Sequence, residues 1–364
     1  MLTPKHRRPF RGATLAAAGA AAALLLAGCG GTTGTEAEPT SGATGGAGGA
    51  GGETEVPTVF GAFATPLEEP WDGAIHAALT GAEDDGTIVY DYVDNLHTAD
   101  EMERALRDII ASQDPDIIIG DAFAAEEAVR AVASEFPDTA FAFGSGGEEQ
   151  APNFSVFDNW MQDPAYLAGM LAGGLTESNT IGVVAAMPIP EVNRIVNGFI
   201  EGVQETNAGA TVTVSFINSF FDPATAQQAA EAAIANGADV LFAERAGVIA
   251  AAEEAELPVI GMMVDQEEEA PEYVVTSLIW NMRPTVDAVV EAVAAGNFEA
   301  SNLAEYSFMV NGGSSIAEIN TDTAFEIPAE LIERVEERQE EILAGDFETP
   351  INEEAPAGST TVGE

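Results

Sequence analysis

Lysine is all but missing from this chain of 364 residues: it occurs once, at position 5, and arginine supplies the other 11 of the 12 basic side chains. Against these stand 61 acidic residues and a formal charge of −49. Nucleic acid is excluded as a ligand, because neutralising phosphates requires a basic footprint. The same field disfavours any strongly anionic ligand. Cysteine is as scarce, with Cys29 alone, so no disulfide closes within the chain and no cysteine-based metal cluster forms. Histidine occurs three times; His76 falls in a helical stretch and His97 in a turn, and neither sits in a nucleophile–base pattern. Gly144-Ser145-Gly146-Gly147 breaks the spacing of a nucleophile elbow. Gly312-Gly313-Ser314-Ser315 lacks the lysine of a phosphate loop and reads as a turn. A binding protein without cofactor or metal is therefore expected, not an enzyme.

Long apolar runs are also few. The most prominent, Gly12 to Ala27, follows the basic stretch Lys5 to Arg11 and ends at Leu26-Ala27-Gly28-Cys29, the form of a signal peptide closed by a bacterial lipobox. About 16 residues is short for a spanning helix, which needs roughly 20. Residues 1–28 are read as the signal peptide, Cys29 as the lipidated residue, and 29–55, rich in Gly, Thr and Glu, as a tether with too little apolar side chain to order. Arg7-Arg8 with Phe10 resembles a twin-arginine export signal, although His6 and Arg11 depart from it. General secretion and twin-arginine export both stay open.

All 61 acids and only 8 of the basic residues follow Cys29. The acids are spread over the whole length rather than gathered in a block, which fits a salt-screened surface better than a docking tail.

From Thr58 onward, apolar runs alternate with helical stretches. Strands are expected at 58–63, 87–93, 116–120, 139–144, 180–187, 211–218, 240–244, 258–264 and 274–280. Helices are expected at 71–81, 99–112, 122–136, 164–176, 191–205, 223–236, 247–256 and 284–295. Such repetition gives an α/β fold with right-handed crossovers and doubly wound parallel sheets. The aromatic-rich stretch 155–163 interrupts it and marks a crossing between lobes. The expected organisation is lobe 1 over 56–158, lobe 2 over 159–264, a return to lobe 1 through the hinge over 265–350, and an acidic tail over 351–364. Open α/β sheets bind ligands beyond the carboxyl ends of their strands, so two facing sheets form a cleft.

Several stretches are similar to the basic membrane lipoprotein (BMP) family of ABC-transporter substrate-binding proteins. They include Tyr166-Leu167-Ala168-Gly169, Ile181-Gly182-Val183-Val184-Ala185-Ala186, Pro188-Ile189-Pro190-Glu191-Val192, Asn218-Ser219-Phe220-Phe221-Asp222-Pro223, Val264-Asp265-Gln266 and Thr276-Ser277-Leu278-Ile279-Trp280-Asn281. Glu341-Ile342-Leu343-Ala344-Gly345 resembles that family's final helix. The resemblance implies two doubly wound lobes joined by a multi-strand hinge, the periplasmic-binding-protein type I fold. It also implies a small-molecule ligand, an ABC permease and ATPase as partners, a membrane anchor through Cys29, and a monomer. The Pro188–Val192 and Asn218–Pro223 stretches look like the branch associated with purine nucleobases such as adenine. Relatives that take nucleosides carry an extra Asp where this chain has Met263, so a base without sugar is the closer match. A receptor reporting to a membrane sensor shares this fold and anchor.

A purine site needs aromatic plates and hydrogen-bond partners for the ring edge. The three tryptophans, Trp71, Trp160 and Trp280, all fall at junctions, as does Phe221; each reads equally as core packing. Asp222, Glu244 and Asp265 stand at strand ends where a carboxylate accepts from an amine or ring N–H. Arginine is rare enough to be informative at Arg194, Arg245 and Arg283, with Arg245 the candidate for the site and salt bridging the competing role. Phe123 and Asn218 complete the set.

With so many like charges, stability should depend on screening, whose range falls from about 10 Å at 0.1 M salt to about 3 Å at 1 M. The melting temperature of a fragment starting at Val56 should rise steadily from 0.1 to 2 M NaCl. A flat profile would remove the screening account.

Overall fold

The computed structural model describes residues 56–123 and 125–363. The signal-peptide, lipidation and tether readings of residues 1–55 lie outside them. The first sheet is built from β1 (Thr58–Ala62), β2 (Val89–Val93), β3 (Ile117–Asp121), β4 (Ala140–Gly144) and β5 (Phe154–Phe157), in the order β2-β1-β3-β4-β5. All its pairs are parallel. Crossovers run through α1 (Pro70–Asp84), α2 (Ala99–Gln113) and α3 (Glu126–Glu135). Alternation along the strands feeds two apolar layers. Phe60, Ile118, Phe141, Phe143 and Phe154 pack on Met102, Leu106 and Val129, while Val59, Ile117, Ile119 and Ala142 pack toward Trp71, Ile75 and Leu79.

β5 is where the sequence reading and the fold part. Most of this segment, from Ser155 on, falls within the interruption expected at 155–163, because no helix separates it from β4 to carry the alternation. It is a fully buried fifth strand, and the crossing itself begins only at Asp158.

The second sheet has the order β11-β10-β9-β8-β6-β7-β12. Its strands are β6 (Thr180–Ala185), β7 (Thr211–Phe216), β8 (Val240–Ala243), β9 (Val259–Gly261), β10 (Val274–Trp280), β11 (Ser314–Ile316) and β12 (Thr360–Thr361). Only the β10–β11 pair is antiparallel. The covering helices are α4 (Gln162–Leu175), α5 (Pro190–Thr206), α6 (Pro223–Ala235) and α7 (Val248–Ala255). α8 (Arg283–Ala294) packs against α1 of the first lobe, and α9 (Ala329–Ala344) packs against α4.

The expected return to lobe 1 over 265–350 is thus much shorter. β10, β11 and α9 belong with the second sheet, and only the stretch from Asn281 to about Ser307 visits the first, where Leu303 donates its N–H to Val156 O at 2.7 Å. The stretch read as a turn at Gly312–Ser315 runs into β11 from Ser314. The acidic tail is docked rather than free: Asn197 Nδ2 donates to the carbonyls of Asn352 (2.8 Å) and Glu354 (2.9 Å). β12 then pairs with β7.

Three chain crossings lie side by side and are stitched by hydrogen bonds. Trp280 Nε1 donates to Ser307 Oγ at 3.1 Å, Ser307 Oγ donates to Asp158 O, and Asn281 N donates to Gly313 O at 2.9 Å. No helix among the described residues is long and apolar enough to cross a membrane.

α4 and α5 approach closely because glycines face backbone where they meet. A Cβ on Gly202 would strike the carbonyl oxygen of Tyr166, and one on Gly169 that of Phe199. Backbone on the far side cannot rotate away as a side chain would. Gly202→Ala should therefore lower stability by about 1–3 kcal/mol, the usual cost of overpacking, read as a lower urea midpoint with unchanged slope. An unchanged midpoint would show that the helix pair has slack.

Candidate functional site

Both lobes turn the carboxyl ends of their strands toward one small cavity, of about 30 Å³. Thr65, Glu69, Trp71, Asp121, Phe123 and Ser145 reach it from the first lobe, and Glu191 and Phe220 from the second. Glu69 caps α1: its Oε2 accepts the N–H groups of Trp71 (2.9 Å) and Asp72 (3.1 Å), and Pro70 opens the helix. The cap fixes Trp71, which stacks on Phe157 at 5.8 Å between centroids and meets Trp280 at 4.8 Å. Asp72 Oδ2 accepts from Thr65 N (2.8 Å) and Oγ1 (2.6 Å), while its Oδ1 has no partner. Asp121 ends β3 and accepts the N–H of Phe123 at 2.8 Å. That turn aims the Phe123 ring across the gap, where it meets the Phe220 ring edge-on at 4.9 Å.

The second lobe contributes a buried cation that bridges to the first lobe beside the cavity. Arg245 follows β8, is 5% exposed, and pairs with Glu244 at 2.9 Å and with Glu69 of the opposite lobe at 3.3 Å. It also donates to Phe220 O at 3.0 Å. Glu244 is held in turn by Ala186 N–H at 2.8 Å. Around this one guanidinium lie five buried carboxyl groups, those of Glu69, Asp72, Asp121, Glu191 and Glu244.

Burial is the main cause of the raised pKa in all five, because a charge out of water is costly. Arg245 works against the rise at Glu69 and Glu244, whereas Asp121 adds to it at Asp72 and Asp158 adds to it at Glu191. Asp121 is pushed up to about 7, with the Phe123 N–H pulling down and Glu69 pushing up.

The ten residues singled out in the sequence divide into two groups. Trp71 and Phe123 line the cavity, and Arg245 and Glu244 form the charged bridge beside it. Trp280 stands behind Trp71 as its support. The other five lie elsewhere. Trp160 is covered by the Arg194 guanidinium at 3.7 Å from its ring centre; Arg194 in turn joins Asp158 (2.8 Å) to Glu353 of the tail (2.7 Å). Asn218 adopts a left-handed backbone (φ 57°) and donates its N–H to Ala186 O. Phe221 is exposed, and its neighbour Phe220 takes the cavity position. Asp222 is spent on capping α6, where its carboxyl accepts from Thr225 N at 3.1 Å and Oγ1 at 2.8 Å and is held below its usual range by those bonds. Asp265 is exposed; it accepts the N–H of Glu267 and faces a separate groove along Ala74, Ala77 and Ala78.

Sequence reasoning passed over Thr65, Glu69, Asp72, Asp121, Ser145, Glu191 and Phe220. In so acidic a chain the residue type carries no signal. One pattern does: Glu69-Pro70 and Pro190-Glu191 each open the helix after the first strand of a lobe, and proline at a helix start marks where a strand end turns back toward the cleft.

Residues 68–310 match the family described as ABC transporter substrate-binding protein PnrA-like. The chain is 34% identical over 217 residues to the putative ABC transporter glucose-binding protein TsgA13 of Haloferax volcanii, covering 58% of this chain and 55% of that protein. It is 26% identical over 214 residues to a purine-binding protein of Brucella abortus, covering 58% of this chain and 61% of that one. The chain thus spans little more than half the length of these two relatives. Among solved structures, a solute-binding protein of an ABC transporter system from Conexibacter woesei matches with a TM-score of 0.65 at 23% identity, over 81% of this chain and 99% of that one. A counterpart from Aeropyrum pernix matches at 0.68 and 20% identity, over 81% and 94%. These likenesses show the two-lobed binding-protein fold.

The raised carboxyls fix a pH dependence. An unfolded Asp or Glu ionises near pH 4. Folded Asp121 keeps its proton to about pH 7, so between those values the folded state binds more protons and stability falls as pH rises. In 2 M NaCl, with surface charge screened, the melting temperature should drop from pH 5 to pH 8. Asp121→Asn should make that drop shallower; an equal slope in the variant would show that Asp121 does not titrate there.

Proposed function

Because the chain belongs to the PnrA-like ABC transporter substrate-binding proteins, we propose that it captures a flat, uncharged ring compound, a purine nucleobase, and delivers it to a membrane permease driven by an ATPase. It works as a monomer outside the cell, tethered by lipid on Cys29. The carrying observation is the cavity between the lobes, with aromatic faces from Trp71, Phe123 and Phe220 and polar edges from Thr65, Asp121, Ser145 and Glu191. That combination suits a ligand with two apolar faces and a hydrogen-bonding rim.

At about 30 Å³ the cavity has room for two or three waters at roughly 10–15 Å³ each, and ligand sites begin at roughly 300 Å³. Entry therefore requires the lobes to part about the stitched crossings and to close again, with the closed form presented to the permease. The Brucella relative is named for purine binding and the Haloferax relative for glucose. The second name and the cavity's carboxylates favour one other reading, a hydroxyl-rich ligand such as a hexose or a nucleoside, since carboxylates accept well from hydroxyl groups.

A thermal-shift panel on the fragment from Val56, in molar salt, separates the two. Adenine, hypoxanthine or guanine should stabilise it, and glucose should not; stabilisation by glucose or by nucleosides alone would reverse the assignment. Phe123→Ala should weaken base binding by about 1–3 kcal/mol, the range for a base stacked on an aromatic ring. Because Phe123 is 38% exposed, the melting temperature of the free protein should barely move. Unchanged affinity would remove this ring from the site.

A further inference from the structure

Two of the cavity carboxylates differ from the rest. Glu69 and Glu244 are already paired with Arg245, and Asp72 is bound by Thr65. Asp121, from the first lobe, accepts the Phe123 N–H and a hydrogen bond from the Ser145 side chain, and the Glu191 carboxylate, from the second, has no hydrogen-bond partner among the described residues. Both line the same cavity, so closure brings two acceptors toward whatever lies between them; Arg194 and Arg245 act on Glu191 only through space, without a hydrogen bond to it. Trp71 adds an independent sign of an intended polar contact. It is 6% exposed, lines the cavity, and its Nε1–H has no partner. A buried donor without an acceptor is costly, as is a buried carboxylate without donors.

Resting on the reading of this cleft as the ligand site, we propose that Glu191, opposed by Asp121, is the specificity-determining residue and selects ligands whose edge presents an amine over those that present a carbonyl. An amine donates to both carboxylates while they stay ionised, and a neighbouring ring nitrogen accepts from Trp71 Nε1–H. A carbonyl in the same place meets two acceptors. It is accepted only by a carboxyl that holds its proton, which burial favours at both groups at low pH, so the preference for the amine should sharpen as pH rises above about 7. Arg245 does not relieve the clash, because its donors are committed to Glu244, Glu69 and Phe220 O.

Matched pairs that exchange amine for carbonyl test this directly. Titration calorimetry at pH 7.5 in molar salt would compare adenine with hypoxanthine and cytosine with uracil on the wild type, Glu191→Gln and Asp121→Asn. The wild type should bind adenine roughly 10- to 100-fold tighter than hypoxanthine, the worth of a hydrogen bond to a charged group. Glu191→Gln should bring the two within about threefold, because its amide offers a donor as well as an acceptor, and Asp121→Asn should shift the ratio the same way. Melting temperatures at or above wild type would show both variants folded, since each replaces a carboxyl whose ionisation burial makes costly with a neutral amide of similar shape. Equal or tighter binding of hypoxanthine to the wild type overturns the inference while leaving the purine reading intact. So does a Glu191→Gln loss that is equal for adenine and hypoxanthine, which marks a packing role. If none of the four bases binds while glucose does, the purine reading falls and this inference falls with it.

Discussion

One buried guanidinium organises the junction between the lobes. Arg245 leaves β8 of the second lobe and reaches Glu69, which caps the first helix of the other lobe, 176 positions away in the chain. The cap that Glu69 forms sets the entry of α1 and with it the place of Trp71. The carbonyl that Arg245 binds belongs to Phe220, whose ring meets Phe123. Both aromatic faces of the cavity therefore refer back to the same cation. In water such a pair would contribute little; with each side chain nearly fully buried, loss of either partner leaves a charge with no answer.

The surplus of acid at that junction explains the remaining chemistry. Five carboxyl groups around one arginine cannot all ionise cheaply out of water, so the closed cleft either holds protons or receives donors from a ligand. A second arginine performs a different task at the hinge. Arg194 lies flat over Trp160 and ties Asp158, at the first crossing, to Glu353 of the C-terminal segment. In a chain with eight basic residues beyond Cys29, two of the arginines are thus placed where the lobes meet and where the chain crosses between them.

Much of the fold was legible because strand and helix periodicities are local. The nine expected strands all occur: 274–280 keeps its bounds, 116–120 shifts by one residue to Ile117–Asp121, and the other seven are shortened by a residue or several. What was missed follows the same logic in reverse. β5 has no preceding helix to announce it, and β11 and β12 are three and two residues long, too short for any periodicity. The path of the chain after β9 was misjudged because β10 looks the same whichever sheet it joins; its partners, β9 and β11, are a matter of tertiary pairing.

Composition and local pattern by themselves determined an alternating α/β chain, rich in acid along its whole length and without a second cysteine to close a disulfide; its place among binding proteins came from stretches resembling a known family. Those properties depend on residue counts and on neighbours a few positions apart. Tertiary structure alone decided which acids are buried and which are surface. Asp222 and Asp265 stand at strand ends as plausibly as Asp121, yet one caps a helix and the other is exposed, whereas Asp121 and Glu191 converge from opposite lobes. Burial of a carboxylate is set by what folds over it, and here the covering groups come from the other lobe of the molecule.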